Sequence, residues 1–330
     1  MITDRQKRLL KLIVEEYIKT AVPVGSKGLC EKLKCSSATI RNEMATLEDL
    51  GFLEKTHTSS GRVPSESGYR FYVDNLMEPK KMSGQDVLNL QKIFNNKQLA
   101  LSDVITRSLE IISEITNCTS VVLGRDSSNN NLKQVEVVPL SSERVIAIVI
   151  TDKGHIEHKE INIGKNVEPN DLKKIIDLIN KLLVGTPINE ISAKLEFEIK
   201  PIIGNYVKSH EALYQAFYNA FNEFSFKSHM QMQGRTKLLD YREFDDVNKA
   251  KVLLKKFEDN DMIKNIKAEN NDIKVYIGHE NNFDDDVSII KTKYITNSEE
   301  GTIAIVGPKR MNYEKVVSLL EYIKENIERQ

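Results

Sequence analysis

Ala38-Thr39-Ile40-Arg41-Asn42-Glu43-Met44-Ala45-Thr46-Leu47-Glu48-Asp49-Leu50, closed by Gly51, is the stretch that decides how this chain is read. Ile40, Met44 and Leu47 recur at helical spacing, which turns one face of a helix toward a core. Gly51 suits the C-terminal stop. Ser37, Thr39, Arg41 and Asn42 cluster toward the N-terminal half and point elsewhere. A helix of this diameter enters the major groove of B-DNA, where Arg pairs bidentately with guanine and Asn with adenine. Hydroxyl side chains at a helix start also serve as caps, and small helix-turn-helix units also join proteins. The spacing leaves both uses open.

Upstream, Leu10, Ile13, Val14, Tyr17 and Ile18 predict a helix from about Thr3 to Lys19, with Thr3 as N-cap and Asp4 in the first turn. Pro23 disfavours helix at Val22. Ser26 caps a second short helix carrying Leu29, Cys30 and Leu33, and Lys34 to Ser37 form a polar turn. Downstream, Phe52 to His57 reads as a strand, Thr58-Ser59-Ser60-Gly61 as turn chemistry, Arg62-Val63-Pro64 as the return, and Ser65 opens a helix through about Leu76. Three helices followed by a hairpin are the order of a winged helix-turn-helix. The hairpin carries Lys55, His57, Thr58, Ser59, Ser60 and Arg62, side chains that can contact phosphates or enter a minor groove.

Beyond Glu78-Pro79-Lys80-Lys81-Met82-Ser83-Gly84, read as a linker, the body follows another rhythm. A helix is predicted over 102–116, then extended segments at 120–123, 134–140, 144–150 and 156–163. Residues 169–224 are mostly helical. Residues 226–240 have a strand as one reading. A helix at 247–257, strands at 272–277, 287–294 and 302–306, and a helix over 313–328 complete the chain. Strands, helices and strands again suggest an α+β sensor-like domain interrupted by a helical insertion. Tyr214, Phe217, Phe221 and Phe224 lie on one apolar helix, which suits a core and equally a dimer surface.

The whole chain of 330 residues has a net charge of −1, but the charge is segregated. Residues 1–81 hold 14 Lys and Arg against 11 Asp and Glu, while the remainder holds 33 against 37. A mildly basic head on an acidic body fits a small DNA-binding module on a regulatory part. No run approaches the ~18 apolar residues of a membrane span, and the charged N-terminus lacks the apolar core of a secretory signal, so a cytoplasmic protein is expected. Cys30, Cys35 and Cys118 are a poor disulfide framework and a poor zinc set. His155 and His158 fall on opposite faces of a strand. His279, Glu280, Asp284, Asp285 and Asp286 lack the spacing of a calcium loop. Catalytic and dinucleotide-binding motifs are missing. No metal, no cofactor and no enzymatic activity are expected.

Five runs together resemble the heat-inducible transcription repressor family, which controls bacterial chaperonin and chaperone operons. They are Pro23-Val24-Gly25-Ser26-Lys27, Ser37 to Met44, Leu50 to Lys55, His57 to Ser65, and Gly68-Tyr69-Arg70-Phe71-Tyr72-Val73-Asp74. Ile277-Gly278-His279-Glu280-Asn281, Tyr294 and Gly307-Pro308-Lys309-Arg310-Met311-Asn312-Tyr313 resemble the family's C-terminal signature, so the resemblance spans the chain. Ser60 and Ser37 stand where Ala and Pro are usual, and both keep a small side chain.

The resemblance implies a multidomain α/β chain of α+β type. A winged helix-turn-helix would occupy 1–77, and a linker with a connecting helix 78–101. A GAF-like domain over 102–165 and 233–330 would be interrupted by a mainly helical inserted dimerisation domain, 166–232. It further implies a homodimeric repressor of class I heat-shock genes. Such a repressor binds double-stranded DNA at an inverted-repeat operator, leaves it on heat stress, and is promoted in activity by the chaperonin. Ser37, Thr39, Arg41, Asn42, Lys55, His57, Thr58, Ser59 and Arg62 are then the expected DNA contacts. Tyr214, Phe217, Phe221 and Phe224 are the expected dimer surface. The alternative is a winged-helix regulator controlled by a small ligand in the GAF-like domain.

Overall fold

Thr3 opens the first helix of the computed structural model with a capping box. Its hydroxyl accepts from the Gln6 amide while the Gln6 side chain accepts from the Thr3 amide. The structure describes residues 2–329 except 57–60, 79–81, 97, 98, 100, 125–129, 153, 155, 165, 166, 205–209, 225–229, 260, 261, 264 and 297–299. The side chains of 102, 210, 223 and 224 also lie outside the description. Two compact units result: one joins 1–123, 231–296 and 300–330, and the other is built from 124–230.

In the first unit, α1 (Asp4–Thr20) ends on Ala21 in the left-handed conformation. A 3-10 turn, Ser26–Leu29, runs into α2 (Cys30–Leu33), followed by α3 (Ser37–Asp49), β1 (Leu53–Lys55), β2 (Arg62–Pro64) and α4 (Glu66–Asn75). β1 and β2 pair antiparallel with Leu53 opposite Pro64 and Lys55 opposite Arg62. Val24 joins this ribbon through two backbone bonds with Arg62. Leu9, Leu10, Ile13 and Val14 of α1 are buried with Ile40, Met44, Leu47 and Leu53 in the same core. Burying each such side chain favours folding by about 1.5–3 kcal/mol. The winged helix-turn-helix order is thus present.

Next come α5 (Gly84–Phe94), α6 (Leu101–Thr116) and β3 (Thr119–Leu123). The helix expected within 78–101 is α5, and it packs on one face. Leu90, Ile93 and Phe94 of α5 are buried, and Phe94 meets Tyr322 edge-on at 6.2 Å. An amphipathic helix beside an uncovered apolar surface is part of a core.

The chain then enters the second unit. β4 (Leu132–Pro139), β5 (Arg144–Thr151) and β6 (Ile156–Asn162) form a three-stranded antiparallel sheet in that order. α7 (Pro169–Leu183) follows, then α8 (Ile191–Lys194), a π-helical turn at Leu195–Ile199, α9 (Lys200–Ile203) and α10 (His210–Phe224). Val135, Val145, Ala147 and Val149 share a core with Ile175, Ile179, Phe217 and Phe221. The strands over 132–162 were expected in the first part of the sensor-like domain. They instead build their own sheet, because a β-branched run specifies a strand but not the sheet it joins.

On its return the chain forms β7 (Met230–Gln233), α11 (Val247–Glu258), β8 (Lys274–Ile277), β9 (Val287–Ile295), β10 (Glu300–Pro308) and α12 (Tyr313–Glu328). The first unit's five-stranded sheet has the order β7-β3-β10-β9-β8. The two strands that flank the excursion, β3 and β7, are therefore neighbours. β9 and β10 are buried almost throughout, and they bury Ser288, Lys291, Thr292 and Thr302 along with their apolar residues.

Candidate nucleic-acid interface

Ser36, not Ser37, caps α3: its hydroxyl accepts from the Thr39 amide at 3.1 Å and lies 2.9 Å from the Thr39 hydroxyl. The Ser37 hydroxyl sits 2.8 Å from that of Ser26 and ties α3 to the preceding turn. Ser37 and Thr39 therefore position the helix start, with both side chains half-buried. The inner face, Ile40, Met44 and Leu47, is buried as expected. Arg41 and Asn42 are exposed, and among the described residues their side chains have no partner within the protein. A planar guanidinium and a carboxamide are thus presented together on a rigid helix.

Two acidic residues of α3 are neutralised from neighbouring elements. Arg5 of α1 donates from Nε to Glu43 at 2.9 Å and forms a second, shorter contact. Glu43 holds the Arg5 guanidinium above its ordinary pKa. Arg62 of β2 donates from Nε to Glu48 at 2.6 Å. Only 13% of the Arg62 side chain is exposed. Arg62, expected at the DNA, is held by Glu48 in the protein alone, and the pair joins the base of the wing to the recognition helix. Glu48 lies seven residues after Arg41, on the same helical stripe. An acid there would face the phosphates, and that spacing was a legible signal that a cationic partner was needed.

Lys55, at the end of β1, is exposed and available to a phosphate. His57, Thr58 and Ser59 lie outside the described residues. Gly61 is buried, and a Cβ there would collide with Pro23 at 2.8 Å, so the wing returns close against the turn after α1. The result is an exposed Arg and Asn on a capped helix, beside a wing whose base is held by an ion pair and by the Val24 bridge.

The expected dimer surface is placed differently. Tyr214, Phe217 and Phe221 are 3%, 0% and 2% exposed and belong to the second unit's core. Only the backbone of Phe224 is described. An aromatic stripe suits an interior and an interface alike, since both reward desolvated area. The described residues hold no group of three or more His, Cys, Asp or Glu that could bind a metal ion. No described helix is long and apolar enough to cross a membrane.

Known proteins supply an independent comparison. The family model described as "Winged helix-turn-helix transcription repressor, HrcA DNA-binding" matches residues 1–73. The one described as "HrcA protein C terminal domain" matches 102–317. The heat-inducible transcription repressor HrcA of Bacillus pumilus is 38% identical, covering 99% of this chain and 97% of the relative. The repressor of the same name from Lysinibacillus sphaericus is 39% identical, covering 98% and 96%. A crystal structure titled only as a hypothetical protein aligns with a TM-score of 0.65 at 22% identity, covering 100% of this chain and 98% of the other. That last likeness shows the fold.

Proposed function

The chain belongs to the HrcA family of heat-inducible transcription repressors, and from that membership we propose how it represses. Two copies form a homodimer, and each lays α3 in the major groove of one arm of an inverted-repeat operator. Operator symmetry mirrors protein symmetry. The observation that carries this reading is that Arg41 and Asn42 are exposed on the solvent side of α3, away from the buried Ile40, Met44 and Leu47, with no side-chain partner among the described residues. Arg41 reads guanine and Asn42 reads adenine. Ser37 and Thr39 hold the helix start, and Lys55 with His57, Thr58 and Ser59 meets the backbone or the minor groove.

The five-stranded sheet with its helices is a GAF-like domain, and residues 124–230 are an insertion in it. Support comes from β3 and β7, which flank the insertion yet lie side by side in one sheet. The second copy docks on the outer face of the three-stranded sheet. There Ile146, Ile148 and Ile150 are only half-buried, with Val138 opposite Ile146 and Ile156 opposite Ile150. Val138 and Ile156 are 46% and 59% exposed. Sedimentation of Ile148→Arg checks this face: a monomer is expected, and an unchanged dimer moves the interface elsewhere. The chaperonin acts by favouring the operator-competent state, because a partner that binds one state shifts its population. Purified chaperonin that left the competent fraction unchanged would remove that part.

Fluorescence anisotropy on a labelled inverted-repeat chaperone operator tests the whole, with a scrambled duplex of equal length as control and salt varied. Selective binding is expected. Equal, steeply salt-dependent binding to both duplexes would sink sequence-specific repression.

A further inference from the structure

The C-terminal runs around Gly278 and Lys309 have no part in the interface just described, yet both meet α4, the helix that closes the winged-helix fold. Lys309 Nζ donates to Glu66 Oε1 at 2.9 Å, and His279 Nδ1 lies 3.0 Å from Glu66 Oε2. Arg70 donates through Nε to Glu280 Oε1 at 3.0 Å and through Nη2 to the other oxygen of that carboxylate, closing a bidentate pair. The same Nη2 donates to the carbonyl of Val275 at 2.6 Å. The Tyr72 hydroxyl donates to Glu314 Oε1 at 2.8 Å in a buried position, and the Tyr69 and Tyr313 rings lie 6.0 Å apart. Glu280 is itself held by the amide of Ile277 at 2.8 Å. Gly278 has φ +52, and a Cβ there would strike the Glu66 carboxylate. The two C-terminal runs are thus shaped to receive α4.

A clasp on α4 is a clasp on the recognition helix. The Ser65 hydroxyl caps α4 at the Gly68 amide and also donates to the carbonyl of Gly51, just past the end of α3. The Ser65 amide donates to the carbonyl of Phe52 at 3.1 Å. A Cβ on Gly68 would overlap that same carbonyl, so α4 crosses the α3–β1 corner in close contact. The corner and α4 therefore move together.

We infer that Glu66, Arg70 and Tyr72, with Lys309, Glu280 and Glu314, are positioning residues that fix the recognition helix against the five-stranded sheet. With each recognition helix fixed to its own five-stranded sheet, the clasp removes one source of play between the two operator arms and narrows the range of spacings that the homodimer accepts. The inference rests on the dimeric repressor reading above. Half-site spacing is a geometric property of a rigid dimer, whereas a module on a loose tether accepts a range of separations.

The test uses the full chain on inverted-repeat duplexes whose spacer is varied, together with a duplex carrying one arm. Wild type is expected to lose at least about 30-fold in affinity when five base pairs rotate one arm by half a turn. Arg70→Glu breaks the bidentate pair. Its loss across the same change is expected to shrink to about 3-fold, with one-arm affinity unchanged, as a loosened tether predicts. Arg70→Glu combined with Glu280→Arg re-forms an opposite-charge pair, though not the bonds to Val275, Asp74 and the Ile277 amide, and should recover part of the sharp profile, which a merely misfolded variant would not do.

A wild-type profile that is already flat, an Arg70→Glu profile as sharp as wild type, or a double variant that stays flat overturns the inference. If wild type does not distinguish the inverted repeat from scrambled DNA, the repressor reading has failed. The clasp is then judged by amide hydrogen exchange. Protection of α4 lost in Arg70→Glu and regained in part in the double variant supports it, and protection indifferent to both overturns it.

Discussion

Two helices carried the strongest functional expectations, and the structure treats them in opposite ways. On α3 the apolar residues go inward and the polar ones stay outside, so Arg41 and Asn42 stand exposed on a buried base of Ile40, Met44 and Leu47. On α10 the residues expected at an interface are inside, with Tyr214, Phe217 and Phe221 in the second unit's core. The difference lies in what a pattern can specify. A polar residue on an amphipathic helix has one inexpensive place, the solvent, because burying it unpaired costs free energy. An aromatic residue gains the same burial from its own chain as from a second copy. Only the tertiary packing tells which surface arrives first.

The largest expected effect probes the buried half of this contrast. Phe217→Ala should lower stability by about 3–5 kcal/mol through lost burial and a cavity, measured by urea unfolding of the full chain. A variant that keeps its stability but loses its oligomeric state would return Phe217 to the interface.

On the exposed half, Arg41→Ala should cost about 1–3 kcal/mol of operator binding and relax specificity at one base pair. Its melting temperature should stay that of wild type, since Arg41 has no partner within the described protein. A loss shared equally with scrambled DNA would mean that Arg41 touches phosphate.

Arg62 sharpens the contrast further, being a cation beside the recognition helix that is paired with Glu48 within the protein. Arg62→Ala should weaken the wing by about 1 kcal/mol or less, since the pair with Glu48 is only partly shielded. It should lower affinity for all duplexes without changing the salt slope, and Glu48→Gln in the same chain should recover part of the loss. A slope that falls by about one in Arg62→Ala would identify a phosphate contact instead.

The smallest effect concerns the clasp on α4. Burial raises the Glu66 carboxyl's pKa, but Lys309 and then His279 outweigh it and hold the group below its ordinary value. A carboxyl depressed in the folded state contributes stability above its unfolded pKa, and loses it as pH falls through the folded value. The docking of α4 should therefore be unchanged near neutrality and weaken on acidification from about pH 4 downward. Hydrogen exchange of α4 follows this, with Glu66→Gln flattening the response. Asp285 lies 3.9 Å from His279 and is the other acid facing that site.

Much of the fold was legible because its elements are short and well punctuated. Thr3, Ser36, Ser65, Ser83 and Asp246 cap helices with their own side chains. Ile40, Met44 and Leu47 name the inner face of α3, and Arg41 with Asn42 follows as its complement. The role of Ser36 hid behind Ser37, its neighbour with the same hydroxyl. The roles of Glu48, Glu66, Arg70 and Glu280 were not legible as pairs. Their partners lie 14, 243, 210 and 210 residues away in sequence, and a charged residue read alone looks like any solvated one. β4, β5 and β6 were legible as strands but not as a sheet of their own.

The sequence by itself determined the local elements, the winged helix-turn-helix order and which face of α3 presents hydrogen-bonding groups. Hydrophobic period and capping chemistry act within a few residues and need no distant partner. Only the tertiary structure decided that Arg62 belongs to Glu48 and that the aromatics of α10 are core. It also decided what α5 packs against, and that α4 is clasped by residues near the C-terminus. These depend on which surfaces meet, and burial and ion pairing reward any partner of matching shape and charge, so the choice among partners is made by the fold as a whole.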